Sequence, residues 1–149
     1  MTLHRHPFLH RCLLNVLLPL LCFGLAGCGG GRQKESKSEE APLSRTEFTS
    51  RVENYFEFTP LTAGKPSQFL IHLTDLSDGS PVEKGEVTLT VRPKGGRTEA
   101  GRTTARVGKV TGIYVADVTI LNSGDYDLEF HIKSAKLDER LPLSGFTVK

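Results

Sequence analysis

An all-β fold, an antiparallel sandwich of about seven short strands, is what this sequence predicts between residues 46 and 149. Three observations carry the expectation. Apolar residues in this part recur at every second position, as in Val87-Leu89-Val91 and Tyr126-Leu128-Phe130-Ile132. That is the period of a half-buried strand. Gly, Pro, Asn and Asp punctuate the alternating runs at short, regular intervals. No stretch repeats its apolar residues at the three-and-four spacing of an amphipathic helix.

The elements follow in order. Val52–Phe58 reads as the first strand, and Pro60–Pro66 as the turn after it. Gln68–Thr74 is the second strand, with Phe69, Ile71 and Leu73 on one face and Gln68, Leu70 and His72 on the other. Asp75–Pro81 is dense in turn formers. Glu86–Arg92 alternates again, and Pro93–Arg97 breaks it. Thr103–Val107 is a short strand. Ile113–Ile120 places Tyr114, Ala116, Val118 and Ile120 on one face, and Tyr126–Ile132 follows Gly124. Lys133–Arg140 is a connection with room for one helical turn. Leu141–Val148 closes the fold as an edge strand, the position in which Pro142 is tolerated.

Gly124 and Tyr126 have a spacing that carries its own reading. A small residue two before a tyrosine, with apolar Leu128 two after it, is similar to the tyrosine corner of immunoglobulin-like sandwiches. There the phenol ties a loop to the strand that follows. A plain core aromatic explains Tyr126 equally well. Leu128 stands where antibody domains carry a cysteine, which excludes the inter-sheet disulfide.

The amino-terminal region has a different character. Arg5 and Arg11 precede an apolar run from Leu13 to Leu25, which ends in Ala26-Gly27-Cys28. A basic start, an apolar middle and a small-residue exit make a secretory signal. The Leu25-Ala26-Gly27-Cys28 ending resembles a bacterial lipobox. That resemblance implies acylation of Cys28, cleavage before it, and a mature protein held on a membrane by its lipid. Asn15 and Pro19 interrupt the run, short of the roughly 20 apolar residues of a membrane-spanning helix. Several acyl chains on one residue exceed what stable anchoring requires. In a Gram-negative cell, Gly29 in place of an inner-membrane-retaining Asp implies the outer membrane, facing the periplasm. The chain therefore divides into a signal peptide (1–27), a lipidated cysteine with a tether (28–45) and a β-sandwich (46–149).

Removal of 1–27 takes Arg5 and Arg11, so Lys plus Arg falls from 19 to 17 against 17 Asp plus Glu. A near-neutral domain without a basic stripe argues against nucleic acid as a partner. Cys12 and Cys22 leave with the signal, so the domain has no thiol for a disulfide, a thiolate metal site or a nucleophile. Residues 29–42, GGGRQKESKSEEAP, hold too little apolar surface to offset their ordering entropy and read as a flexible leash.

Candidate chemistry is sparse. Only His72 and His131 remain after processing, and neither stands in a nucleophile–base–acid constellation, so an enzyme is not expected. Glu129 and His131 are two apart on one strand, which puts them on one sheet face about 7 Å apart. With an acid from a neighbouring strand, such as Asp117, they have the nitrogen and oxygen donors for Zn²⁺ or Cu²⁺. A solvated charged face explains the same pattern. His72 with Asp75 is a second candidate pair, and an imidazole hydrogen-bonding the loop near Asp75 is the structural reading favoured for it. Any such site should be micromolar or weaker, with hardly any affinity for Cu(I). Leu70, Ile113 and Val115 lie opposite the clearer core faces. They either form an exposed apolar patch or are covered by a second sheet or by Leu141-Pro142-Leu143.

Phe58-Thr59-Pro60-Leu61-Thr62-Ala63-Gly64-Lys65-Pro66-Ser67-Gln68-Phe69, with His72-Leu73-Thr74-Asp75-Leu76, Pro81-Val82 and Gly85-Glu86-Val87, resembles a known run. It is similar to the N-terminal β-sandwich region of periplasmic adaptor (membrane fusion) subunits of heavy-metal efflux pumps of the resistance-nodulation-division type. The resemblance extends over Phe58 to Phe130. It implies a small sandwich working beside an efflux or envelope assembly. The helical hairpin, lipoyl-like and barrel domains of an adaptor do not follow, so an accessory module is expected rather than an adaptor. Copper-binding N-terminal methionines of some members have no counterpart, because Met1 is the one methionine. The expected function is a lipid-anchored, non-catalytic module for an envelope protein partner. A Cu/Zn buffer or delivery protein is the alternative.

Overall fold

The computed structural model describes residues 40–149, and Cys28 with the signal segment lies outside them. The described residues form ten strands and no helix. They are β1 (Leu43–Phe48), β2 (Val52–Phe58), β3 (Pro66–Asp75), β4 (Ser80–Pro81), β5 (Glu86–Pro93), β6 (Gly101–Thr104), β7 (Arg106–Val107), β8 (Ile113–Thr119), β9 (Gly124–Lys133) and β10 (Asp138–Val148). One antiparallel sheet has the order β1-β2-β3-β8-β7, with β4 on the end of β3; the other has the order β10-β9-β5-β6. The arrangement is the predicted sandwich, with connections that cross between the sheets.

The inward positions are those the alternation marks. Phe56, Phe69, Ile71, Val87, Leu89, Val91, Phe130 and Ile132 are fully buried. Aromatic rings knit the two layers together. Phe56 of the first sheet meets Phe130 of the second at 5.0 Å between centroids, and within the first sheet Phe58 stacks on Phe69 at 5.2 Å. Each such side chain contributes about 1.5–3 kcal/mol by leaving water.

Four features differ from the sequence expectation. The described residues form ten strands where about seven are expected, two of them (β4 and β7) only two residues long. Leu43, Ser44 and Arg45, read as tether, begin β1, which pairs along the whole of β2. Its inward positions are Arg45 and Glu47, which pair with each other, while the Arg45 guanidinium lies 4.8 Å over the Phe146 ring. Inward charges of this kind protect an edge strand from pairing with another chain. They also erase the apolar alternation that would have announced a strand. The run Thr103–Val107 is not one strand. Gly101–Thr104 pairs with β5, the chain turns at buried Ala105, and Arg106–Val107 pairs with β8 in the other sheet. Lys133–Arg140 holds no helical turn. It is a tight β9–β10 hairpin closed by Ser134 N donating to Leu137 O at 2.8 Å. Pro142 sits within paired β10, the outermost strand of its sheet, where a missing N–H is tolerated.

Candidate distal loop site

Register assigns every loop to one of two ends. β1 runs from Leu43, opposite Phe58, to Phe48, opposite Glu53. The chain therefore enters beside the end of β2 and turns back before β2 begins. Residues 40–43, 59–65, 93–100, 120–123 and Lys149 lie at this proximal end. The loops 48–52, 75–85, 108–112 and 133–138 lie at the other, distal end. Had β2 been the first strand, the chain would enter the sandwich among the distal loops. β1 reverses the polarity.

The distal loops are held by side chains. Asp75 is buried, accepts from Ser77 N (2.9 Å) and Ser77 Oγ (2.7 Å), and stands 3.6 Å from Arg51. The Ser77 hydrogen bonds, with Arg51 assisting, hold its carboxyl below the ordinary value. Asp78 repeats the arrangement with Ser80. These are Asx-type turns, in which the carboxylate replaces backbone partners. The phenol of buried Tyr114 fastens the next segment: its hydroxyl donates to Val82 O (2.8 Å) and accepts from Gly85 N (2.9 Å). Between them Lys84 has φ of 50°, a left-handed conformation uncommon for a residue with a Cβ. Gly112 (φ 79°) supports the loop from beneath, where an added Cβ would come within 2.6 Å of Pro81 Cβ.

A cleft of about 230 Å³ opens on one side of Val82–Gly85, lined by Asp75, Pro81, Glu83, Lys136 and Leu137. A second, of about 240 Å³, opens on the other side, lined by Lys84, Val107, Lys109, Thr111 and Tyr114. Phe48, Leu76, Val107 and Val110 are large apolar side chains exposed at or beside this end.

The residues singled out from sequence are placed otherwise. His131 Nε2 lies 2.7 Å from Asp138 Oδ1 across the hairpin, and this contact holds Asp138 below the ordinary carboxylate value. Glu129 accepts from Arg140 at 2.9 Å. Asp117 belongs to β8 of the opposite sheet, where it pairs with Gln68 and Arg106. Glu129, His131 and Asp117 therefore do not converge, which corrects the expected three-residue set. His72 and Asp75 are three apart on one strand and face opposite sides of the sheet. Neither the metal pair nor the imidazole–loop hydrogen bond forms; His72 lies edge-on to Tyr55 at 5.3 Å instead. Among the described residues no three His, Cys, Asp or Glu gather as ligands. Leu70 and Val115 pair on the outer face of the first sheet and Ile113 adjoins them opposite His72, all half-buried. Leu141 and Leu143 face the core of the other sheet rather than covering them.

Tyr126, near the start of β9, donates from its hydroxyl to Asn122 O at 2.8 Å. It ties the β8–β9 loop as a corner tyrosine does. Sequence reading missed the pinning role of Tyr114 and the strained Lys84. The repeated Asp-x-Ser at Asp75-Ser77 and Asp78-Ser80 is the signal that would have marked this loop as ordered.

No helix of the described residues is long and apolar enough to cross a membrane. No protein-family profile matches the chain, and no curated protein matches it. Among solved structures, the chain is similar to the ZirS C-terminal domain at 13 % identity and a TM-score of 0.42, over 95 % of this chain and 87 % of that one.

Proposed function

We propose that this chain is a lipid-anchored, non-catalytic binding module of the bacterial envelope that offers its distal loops to a protein partner. The supporting observation is the polarity set by β1, which puts the tether root and the tied loops at opposite ends of the sandwich. A module fastened at one end keeps the other accessible. The distal surface supports a protein partner rather than a small substrate: its two clefts hold only about 230 and 240 Å³, and exposed apolar side chains stand around them. The resemblance of Phe58–Phe130 to adaptor subunits suggests a partner within a heavy-metal efflux or related envelope assembly, at the outer membrane of a Gram-negative cell.

The anchor is tested by Cys28→Ser. The parent chain should partition into detergent and carry the mass of an acylated, processed form. The variant should remain unprocessed or become soluble. A Cys28→Ser chain still quantitatively lipidated, or a parent chain with an unmodified thiol, refutes this reading.

A further inference from the structure

The proximal end carries a second surface. Leu121 is 74 % exposed and Leu43 is 51 % exposed. Both belong to this end, because Gly64 N donates to Ile120 O and Leu43 pairs with Phe58. Lys65, Lys94 and Arg97 project from the loops around them, and none forms an ion pair among the described residues. Glu40 pairs with Lys149, and Glu99 is shared by Arg92 and Arg102. Asp125, which accepts from Thr147, and Asp127, which accepts from Gly95 N, have no cation partner among the described residues. Three unpaired cations and a carboxylate shared by two arginines outweigh these two acids, so the end presents a positive balance beside two exposed leucines. It also holds the mouth of a groove of about 400 Å³ between the sheet edges, lined by Leu43, Phe58, Leu61 and Phe146.

Chain length restricts what this end can meet. Cys28 and Glu40 are twelve residues apart in sequence. Fully extended, such a segment spans at most about 40 Å, and as a flexible coil about 20 Å. On the anchor reading of the previous subsection, on which this inference rests, the proximal end is never farther than that from the bilayer, and it is the end pulled toward it.

We propose that the proximal end docks on an anionic phospholipid surface. Lys65, Lys94 and Arg97 face the lipid phosphates, and Leu43 and Leu121 enter the interfacial layer. Basic residues near an anionic leaflet attract it over a Debye length, and apolar side chains add burial in the headgroup region. Docking would hold the sandwich upright with the distal loops facing away from the membrane.

The test uses the acylated mature chain in vesicles of phosphatidylethanolamine with phosphatidylglycerol, against vesicles of phosphatidylethanolamine with phosphatidylcholine. The domain has no cysteine of its own, so Leu121→Cys carries a polarity-sensitive fluorophore at one position, with Leu76→Cys as the distal control. On the anionic vesicles the label at 121 should shift to the blue and be quenched by a bilayer-borne quencher, while the label at 76 stays in water. Each of Lys65→Glu, Lys94→Glu and Arg97→Glu should lower the docked-to-undocked ratio by roughly fivefold or more, and all three together by about a hundredfold. High salt should act in the same direction.

A label at 121 that stays in water on an acylated chain overturns the docking surface alone. An unmodified Cys28, read by mass on the same sample, overturns the anchor reading and the proposal with it. A shift that grows with protein concentration equally on both vesicle types assigns this end to a second copy of the chain and also overturns the proposal.

Discussion

Tyr114→Phe removes one oxygen from the interior and leaves the shape of the side chain unchanged. Tyr114 is 1 % exposed, and its hydroxyl is the partner of both the Val82 carbonyl and the Gly85 amide. No cavity term arises, because only the hydroxyl is lost. Val82 is 4 % exposed, so its carbonyl stays buried without that partner, at a cost of about 1–3 kcal/mol. Gly85 is half-buried, and its amide recruits water after a small opening, which adds at most about 1 kcal/mol. The expected loss is therefore about 2 kcal/mol, a large share of a small domain's stability. It should lower the Tm by about 10 °C. Urea denaturation of parent and variant gives the free energy, and hydrogen exchange at the Gly85 amide gives its local origin. The Gly85 amide should lose more protection than amides in the middle of β5, because the loop opens before the sheet does. A loss under about 0.5 kcal/mol, with Gly85 protection unchanged, would refute the claim that this phenol fastens the distal loop.

Two further outcomes follow from the packing and the charges. Phe130→Ala, at a fully buried ring in contact with Phe56 and Phe69, should destabilise the domain by about 3–5 kcal/mol in chemical denaturation, and a loss under about 1 kcal/mol would contradict its place between the sheets. Asp75, Asp78, Asp117 and Asp138 all have folded values below 3.8, so the unfolded chain binds more protons; their stabilisation is complete above about pH 3.8 and is lost as the pH falls through the lower folded values. Denaturation midpoints should drop steeply on the acid side, less so in Asp75→Asn, and a parent midpoint that stays level down to about pH 3 would contradict the linkage.

The strands legible in the sequence are those whose inward residues are mostly apolar, even where one polar residue such as Asn54 of β2 joins them. Val87, Leu89 and Val91 announce β5, and Tyr126 to Ile132 announce β9, because burial on one face imposes period two. β1 is illegible for the opposite reason. An edge strand protected by Arg45 and Glu47 looks like polar tether, although it decides at which end the chain enters the sandwich. The split of Thr103–Val107 depends on a change of sheet at Ala105, a tertiary event with no local period. The metal expectation goes astray for a related reason. Spacing along β9 correctly puts Glu129 and His131 on one face, yet their partners come from β10, and Asp117 belongs to the other sheet. Pairing within a strand is local information, whereas sheet assignment is not. Asp75 and His72 show the same limit inside one strand, since an odd separation sends them to opposite faces whatever their chemistry.

Under the proposed function, the distal loops, and not the proximal end, meet a protein partner. A photo-crosslinking residue placed in living cells at Leu76, Val110 or Leu121 tests it most directly, because all three side chains are exposed and none supports the core. Leu76 and Val110 should give one discrete protein adduct in common, absent at Leu121, and the adduct should disappear in Tyr114→Phe at temperatures where that variant remains folded. The same adduct at Leu121, with none at Leu76 or Val110, would contradict the proposed function.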